Sequence, residues 1–409
     1  MSEAHGYPAL PRIAGWSFLP LSWLARLPSA MLPIGSLTLV YTATDSATLA
    51  GIASGAVGAG TAVGAPLLGM AVDRWGQRRV LLPVGLLSAL ALLLTVSATV
   101  FNWAFPFTVA GCFLAGFTTP QIPVMVRARW LALIAEHPLG GTQWGTKTTS
   151  AALSYESMAD ELSYVAGPVL VGVIASLSSL GGPLTVAAVL TAAGTAWFAL
   201  HRTAPKPAPR PEPGAEAAAK PRLPLAAYVP VLGMLTLGAF FGSMLTVVSA
   251  FAKSHGDASQ AGLLYGAMGI TSAVFALAMV KVPDSVPYPL RWLVTAAFIG
   301  TAACLLPLVD QVSTLGIIMA LIGIGIGPVM VTMFSLVSEV SPPQRYSLAL
   351  TLMSAALVTG QAFAAPIAGR IVDVAGVATA AWTPAACAAT LTLCGAAALR
   401  LSRTPLRDK

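Results

Sequence analysis

The segment Tyr155-Glu156-Ser157-Met158-Ala159-Asp160-Glu161 puts three carboxylates at the head of an apolar run that continues through Tyr164-Val-Ala-Gly167-Pro168 to Leu177. Carboxylates in such a setting support two kinds of chemistry. Burial favours the neutral acid and raises its pKa, so Asp160 or Glu161 can carry a proton in a coupling step. A carboxylate facing a guanidinium instead stays charged and closes a static ion-pair gate. Arg26, Arg127 and Arg129 fall at the same level of the apolar runs, so both alternatives stand. Glu156, one turn nearer the start of the run, is expected to be solvated. The chain carries no HExxH, GxSxG, CxxC or GxxxxGK[ST] pattern, and His5, His137, His201 and His255 all lie outside apolar runs. That argues against a membrane-embedded enzyme.

The elements that must position these acids follow from composition. Hydrophobic residues make up 56% of the chain and charged residues 9%, against about a quarter charged in soluble domains. A span of lipid takes about 20 apolar residues in helical form. Twelve such runs are present: Phe18–Tyr41, Thr48–Val72, Val80–Phe101, Phe107–Val126, Ser154–Leu177, Pro183–Leu200, Leu225–Ala252, Ser259–Val280, Leu290–Leu308, Thr314–Val337, Tyr346–Ile371 and Val377–Leu399. The chain is therefore expected to be an all-α membrane protein of twelve transmembrane helices. Of its 22 Lys and Arg residues, all but Lys253 and Arg370 fall on one side, in alternate connections or, for Arg26 and Arg291, at the adjoining end of a run. Basic loops stay cytoplasmic, so both termini are expected in the cytoplasm of a multi-pass plasma-membrane protein. The net charge of +7 sits in those loops, where it meets anionic headgroups rather than nucleic acid. Met1–Pro11 is polar, with Glu3, and does not read as a secretory signal. Trp16, Trp23, Trp103, Trp292 and Trp382 fall near run ends and are expected as interfacial anchors. Cys112, Cys304, Cys387 and Cys394 lie within apolar runs and read as apolar fillers; no metal or cofactor is implied.

Between the sixth and seventh runs lies His201–Pro224, rich in Pro, Ala and charge. It has little to bury and reads as a cytoplasmic linker. The expected domains are a six-helix bundle over 1–200, the linker over 201–224, and a second six-helix bundle over 225–409.

The connection after the second run reads Gly69-Met-Ala-Val-Asp73-Arg74-Trp75-Gly76-Gln77-Arg78-Arg79. It resembles the GxxxD(R/K)xG(R/K)(R/K) signature of the major facilitator superfamily, in the loop where that family carries it; Gln77 is the one departure. Gly69 permits close helix approach and Gly76 a tight turn, while Asp73 can meet the positive end of another helix. Arg74, Arg78 and Arg79 can pair with acids or bind headgroups. The resemblance implies a transporter working by alternating access, with this loop as a conformational latch. The matching loop of the second half, Lys281–Arg291, keeps only scattered charge. Gly167-Pro168 resembles the core of the Gly-Pro motif that the superfamily's exporters carry in span 5, and would hinge the helix. Ala159–Pro168 and Phe117–Trp130 together are similar to a group of bacterial, mostly actinobacterial, facilitator proteins of unassigned substrate. The arginine that proton-driven drug antiporters of the superfamily carry in span 4 has no counterpart between Phe107 and Val126.

In this family spans 1, 4, 7 and 10 line the substrate cavity. The resemblance thus assigns Met31, Thr38, Gln121, Phe240, Met244, Met330, Met333 and Phe334 as candidate lining, with Gln361 of span 11 beside them. Packing between helices is the alternative role for each. Gly323-Ile-Gly325-Ile-Gly327-Pro328 gives span 10 a close-packing stretch that can serve as a gate. Such a wall suits uncharged or amphipathic solutes. The expectation is a monomeric secondary transporter that exports small amphipathic organic molecules and is coupled to protons, in contact only with its solute and the bilayer. Uptake of a sugar or other metabolite by symport is the alternative, and a membrane-embedded enzyme or receptor the alternative outside transport.

Overall fold

The computed structural model describes residues 6–204, 223–255, 260–283, 285–342 and 345–403. Among them regular structure is helical throughout. Twelve helices are long and apolar enough to cross a membrane, which makes this a multi-pass membrane protein. They are span 1 (Phe18–Thr44), span 2 (Ala47–Trp75), span 3 (Gln77–Val100), span 4 (Phe105–Ala135), span 5 (Gln143–Leu177), span 6 (Gly182–Leu200), span 7 (Leu225–Ser254), span 8 (Gln260–Ala278), span 9 (Tyr288–Leu308), span 10 (Val312–Val340), span 11 (Leu348–Ala380) and span 12 (Trp382–Ser402). Backbone polar groups find no water in hydrocarbon, so each span satisfies them within itself.

Several expectations change. The connection between spans 4 and 5 is mostly helical: Ile122–Ala135 prolongs span 4, and span 5 begins at Gln143, eleven residues before the apolar run. Thr142 starts that helix by accepting the Trp144 N–H at 3.2 Å on its hydroxyl. Span 4 is itself broken, into Phe105–Phe117 and Ile122–Ala135. Pro120 and Pro123 remove backbone donors at the break, and Gln121 bridges it by donating its Nε2 to the Thr119 carbonyl at 3.0 Å. Trp292 is not an interfacial anchor but wholly buried, whereas Trp16, Trp103 and Trp382 are exposed. Facing a neighbouring helix rather than the headgroups, its large ring fills the core beside Gly233.

The chain forms two compact units, Met1–Gly35 with Gly60–Pro211, and Ser36–Ala59 with Glu212–Lys409. Spans 1 and 2 therefore each contribute to both. The first unit has an aromatic core in which Phe18 meets Trp130 edge-on at 5.2 Å and stacks on Phe198 at 6.2 Å. In the second unit the glycines of span 10 serve contact on two sides. A methyl on Gly327 would strike the Ser272 carbonyl of span 8, and one on Gly325 would lie 2.5 Å from Ile299 of span 9. Without a hydrophobic force between helices in lipid, such close backbone approach supplies the dispersion energy that holds spans together.

Candidate functional site

Span 5 brings its acids to span 1. Arg26 sits at the break between Phe18–Leu24 and Leu27–Thr44, fully buried, and donates Nε to the Ser22 carbonyl at 2.9 Å. One terminal nitrogen binds Glu156 Oε2; the other donates to Asp160 Oδ1 at 2.7 Å and to the Glu156 carbonyl at 3.2 Å. Arg127 closes the chain with Asp160 Oδ2 at 2.5 Å, and Trp130 Nε1 donates to Glu156 Oε1 at 2.8 Å. All four carboxylate oxygens thus accept from a cation or an indole. Glu156 is 0% exposed and not solvated as expected. One helical turn before Asp160, it lies on the same face of span 5 and meets the same guanidinium. Together Arg26, Arg127, Glu156 and Asp160 tie spans 1, 4 and 5 through charge-assisted hydrogen bonds. The Glu161 side chain lies outside the described residues.

Arg129, grouped with this set by sequence, takes a different place. It is buried with no carboxylate in ion-pair reach among the described residues. Its Nε donates to Gln77 Oε1 at 2.8 Å; one NH2 group donates to the Phe198 carbonyl at 2.8 Å and to Thr203 Oγ1 at 3.1 Å. The guanidinium lies 3.6 Å over the Phe198 ring. The negative end of span 6, a ring face and an amide therefore replace a counter-ion. Gln77, the one departure from the family signature, is buried as the acceptor for this arginine. Restoring a basic residue there would set two like charges together out of water. Gln77→Arg is expected to lower the thermal midpoint of the detergent-solubilised protein sharply, and Gln77→Glu to preserve it. Equal midpoints for the two variants would sink this account. His201, just past span 6, lies 3.2 Å from Ser17 Oγ by its Nε2. Burial, with Arg129 and Arg202 nearby, pushes its pKa below the ordinary value, so it stays neutral at neutral pH.

In the signature loop, Asp73, Arg74, Arg78 and Arg79 are exposed, and Arg74 lies 5.6 Å over the Trp75 ring. Gly76 has φ 85° and starts span 3, a conformation that favours glycine. The space a methyl on Gly69 would take is open. Gly167 and Pro168 lie within one continuous helix, where a methyl on Gly167 would come within 2.7 Å of Ala30 in span 1. Of the candidate lining residues, Met31, Phe240, Met244 and Met333 are wholly buried and Thr38 nearly so. Gln121, Met330, Phe334 and Gln361 are half-buried.

One end of the second unit holds a further set of paired charges, around Asp373 and Lys253. Asp373 of span 11 accepts from the backbone N–H groups of Ala47 and Thr48, both at 2.9 Å, and from Ser46 Oγ at 2.8 Å. Lys253, one of the two cations outside the basic connections, pairs with Asp45 at 2.6 Å and donates to the Tyr41 carbonyl. The spacing of alanine, proline, glycine, valine and aspartate shared by residues 65–76 and 365–376 was the signal that could have found Asp373.

Twelve long apolar helices define a polytopic helical membrane protein. The family model of the Major Facilitator Superfamily matches residues 19–280 and 231–409, and the chain belongs to that family. It is thus a secondary transporter, with the all-α fold of that family and a small-molecule substrate. No curated protein sequence matches it. Among solved structures it is similar to a mutant of the nucleoside transporter NupG, at 13% identity over 93% of this chain and 98% of that one, with a TM-score of 0.71. An auto-inhibited peptide transporter of the POT family gives 13% identity over 98% of each chain and a TM-score of 0.71. A bacterial homologue of the iron transporter ferroportin, in its inward-facing state, gives 13% identity over 95% and 99%, again with a TM-score of 0.71.

Proposed function

We propose that the protein is a plasma-membrane exporter of small amphipathic organic molecules. It acts as a monomer by alternating access between two six-helix bundles, 1–200 and 225–409, joined by a cytoplasmic linker over 201–224. Both termini lie in the cytoplasm, and inward proton flow drives the cycle. The observation that carries the reading is that four charges of spans 1, 4 and 5 are spent on one another. Arg26, Arg127, Glu156 and Asp160 are thereby withdrawn from the recognition of an ionic solute. The candidate lining supplies methionine, phenylalanine and two amides instead. Gly167 pressed against Ala30 supports a pivot between spans 5 and 1, as the exporter-type Gly-Pro pair implies. In this reading Gly69, Asp73, Arg74, Gly76, Arg78 and Arg79 form the inner latch.

A thermal-shift screen against dyes, antibiotics, sugars and amino acids supplies a test solute. Inverted vesicles with an acid interior are expected to load that solute in response to the gradient. Loading that ignores the gradient, or uptake of the same solute by whole cells, overturns the exporter assignment. The ion-pair lock makes a further demand. Asp160→Asn is expected to lower downhill exchange and uphill accumulation together, because it loosens a structural tie. Loss of accumulation with exchange intact would instead make Asp160 a proton carrier.

A further inference from the structure

The inner-latch segment has a second copy 300 residues later. Ala65-Pro66-Leu-Leu-Gly69-Met-Ala-Val72-Asp73-Arg-Trp-Gly76 is matched by Ala365-Pro366-Ile-Ala-Gly369-Arg-Ile-Val372-Asp373-Val-Ala-Gly376. Alanine, proline, both glycines, valine and aspartate keep their spacing. The backbone repeats as well: Gly76 has φ 85° and ψ 154°, and Gly376 has φ 82° and ψ 167°, each where one helix gives way to the next. Spans 2 and 11 run in opposite senses through the membrane by count. The two aspartates therefore stand at opposite ends, and the copy lies away from Lys281–Arg291.

We infer that Ala365–Gly376 is an outer latch, in which Asp373 caps the N-terminus of span 2 and holds the outer end of the transporter closed. The first N–H groups of a helix have no partner of their own, and the helix dipole favours an anion beside them. Asp373 meets two of these groups and the Ser46 hydroxyl, while Ser46 Oγ itself accepts the Leu49 N–H at 3.2 Å. Gly369 lies where a methyl would collide with the Ala47 and Thr48 backbone, so the glycine four residues before the acid lets the helices meet. The contact then continues along span 2. Methyls on Gly51 and Gly55 would each lie 2.5 Å from the carbonyls of Ala365 and Ala362, and one on Gly58 would lie 2.9 Å from Ala362 Cβ. Lys253 secures the same hairpin through Asp45 and Tyr41.

The copies differ in the way their positions demand. Asp73 is followed by Arg74, Arg78 and Arg79, but Asp373 by Val374, Ala375 and Val377. Basic residues serve the headgroups and topology of the inner face, whereas capping a helix needs only the acid and the two glycines. In this structure a methyl on Gly369 would meet the span 2 backbone, whereas the space a methyl on Gly69 would take is open.

The inference rests on the alternating-access reading, but its test reads conformation and needs neither a solute nor a direction of transport. Spin labels on Ser179→Cys and Gln311→Cys, in a full-length background whose four native cysteines are replaced by serine, report the separation of two outer loops by pulsed electron resonance. Asp373→Asn is expected to raise the ratio of long to short separations by about tenfold, the effect of losing a charged cap. Ser46→Ala, which removes one of the three bonds and spares the acid, should shift the ratio the same way by less. It carries the test alone if the Asp373 variant fails to fold. Unchanged separations in folded Asp373→Asn, or in folded Ser46→Ala where that variant alone is available, overturn the outer latch.

Discussion

Arg26→Met is expected to cost the protein about 3–5 kcal/mol, the range for leaving a buried charge without its partner. Arg26 is 1% exposed and Glu156 0%, so removing the guanidinium strands the glutamate in a low-dielectric interior with only the Trp130 indole as donor. Asp160 keeps Arg127 and suffers less. Because the penalty belongs to the stranded acid, Arg26→Met with Glu156→Leu should recover much of the loss. Thermal midpoints in detergent decide the matter, with Arg78→Met as the exposed control. If Arg26→Met melts no lower than that control, or the double variant no higher than Arg26→Met, the buried cluster does not hold spans 1, 4 and 5 together.

Asp73→Asn is expected to behave in the opposite manner, with normal insertion and stability but transport lowered about tenfold or more. Asp73 is exposed, so its loss is expected to leave the folded state alone. Transport suffers because a latch works through the difference between two states, and removing a charge that favours only one of them shifts their populations. Flux of the solute from the thermal-shift screen, measured beside surface expression, is the readout. Full transport by a well-expressed Asp73→Asn protein removes the inner latch. A protein that fails to insert would show that Asp73 serves the fold.

Hydropathy made the twelve spans legible because the period and length of an apolar run are local properties. The pairing of Asp160 with Arg26 and Arg127 was legible for a related reason: charges at one membrane level have few other partners. The burial of Glu156 was not, because it depends on Arg26 and Trp130, 130 and 26 residues away in sequence. Its place at the start of the run mimics a solvated residue until span 5 is seen to extend back to Gln143. Trp292 misled similarly, since an aromatic near a span end faces headgroups or a neighbouring helix according to rotation about its own helix. Arg129 was placed at the right level but with the wrong partners. A carbonyl end and a ring face carry no signature in sequence. The repeat around Asp373 was present in the sequence throughout, hidden by the loss of the basic residues that mark its inner counterpart.

The share of spans 1 and 2 in the second unit has a consequence for how the chain is made. Ser46 and Asp373 are 327 residues apart. At the ribosome's pace of about 5–20 residues per second, the hairpin Ser36–Ala59 emerges roughly 15–65 seconds before span 11 exists. During that interval the glycine face of Gly51, Gly55 and Gly58 has no partner helix to receive it. Assembly cannot be strictly vectorial, with an N-terminal half finished before the C-terminal half is begun. Until span 11 is made, the small-residue side of the first hairpin lacks the partner it has in the folded protein.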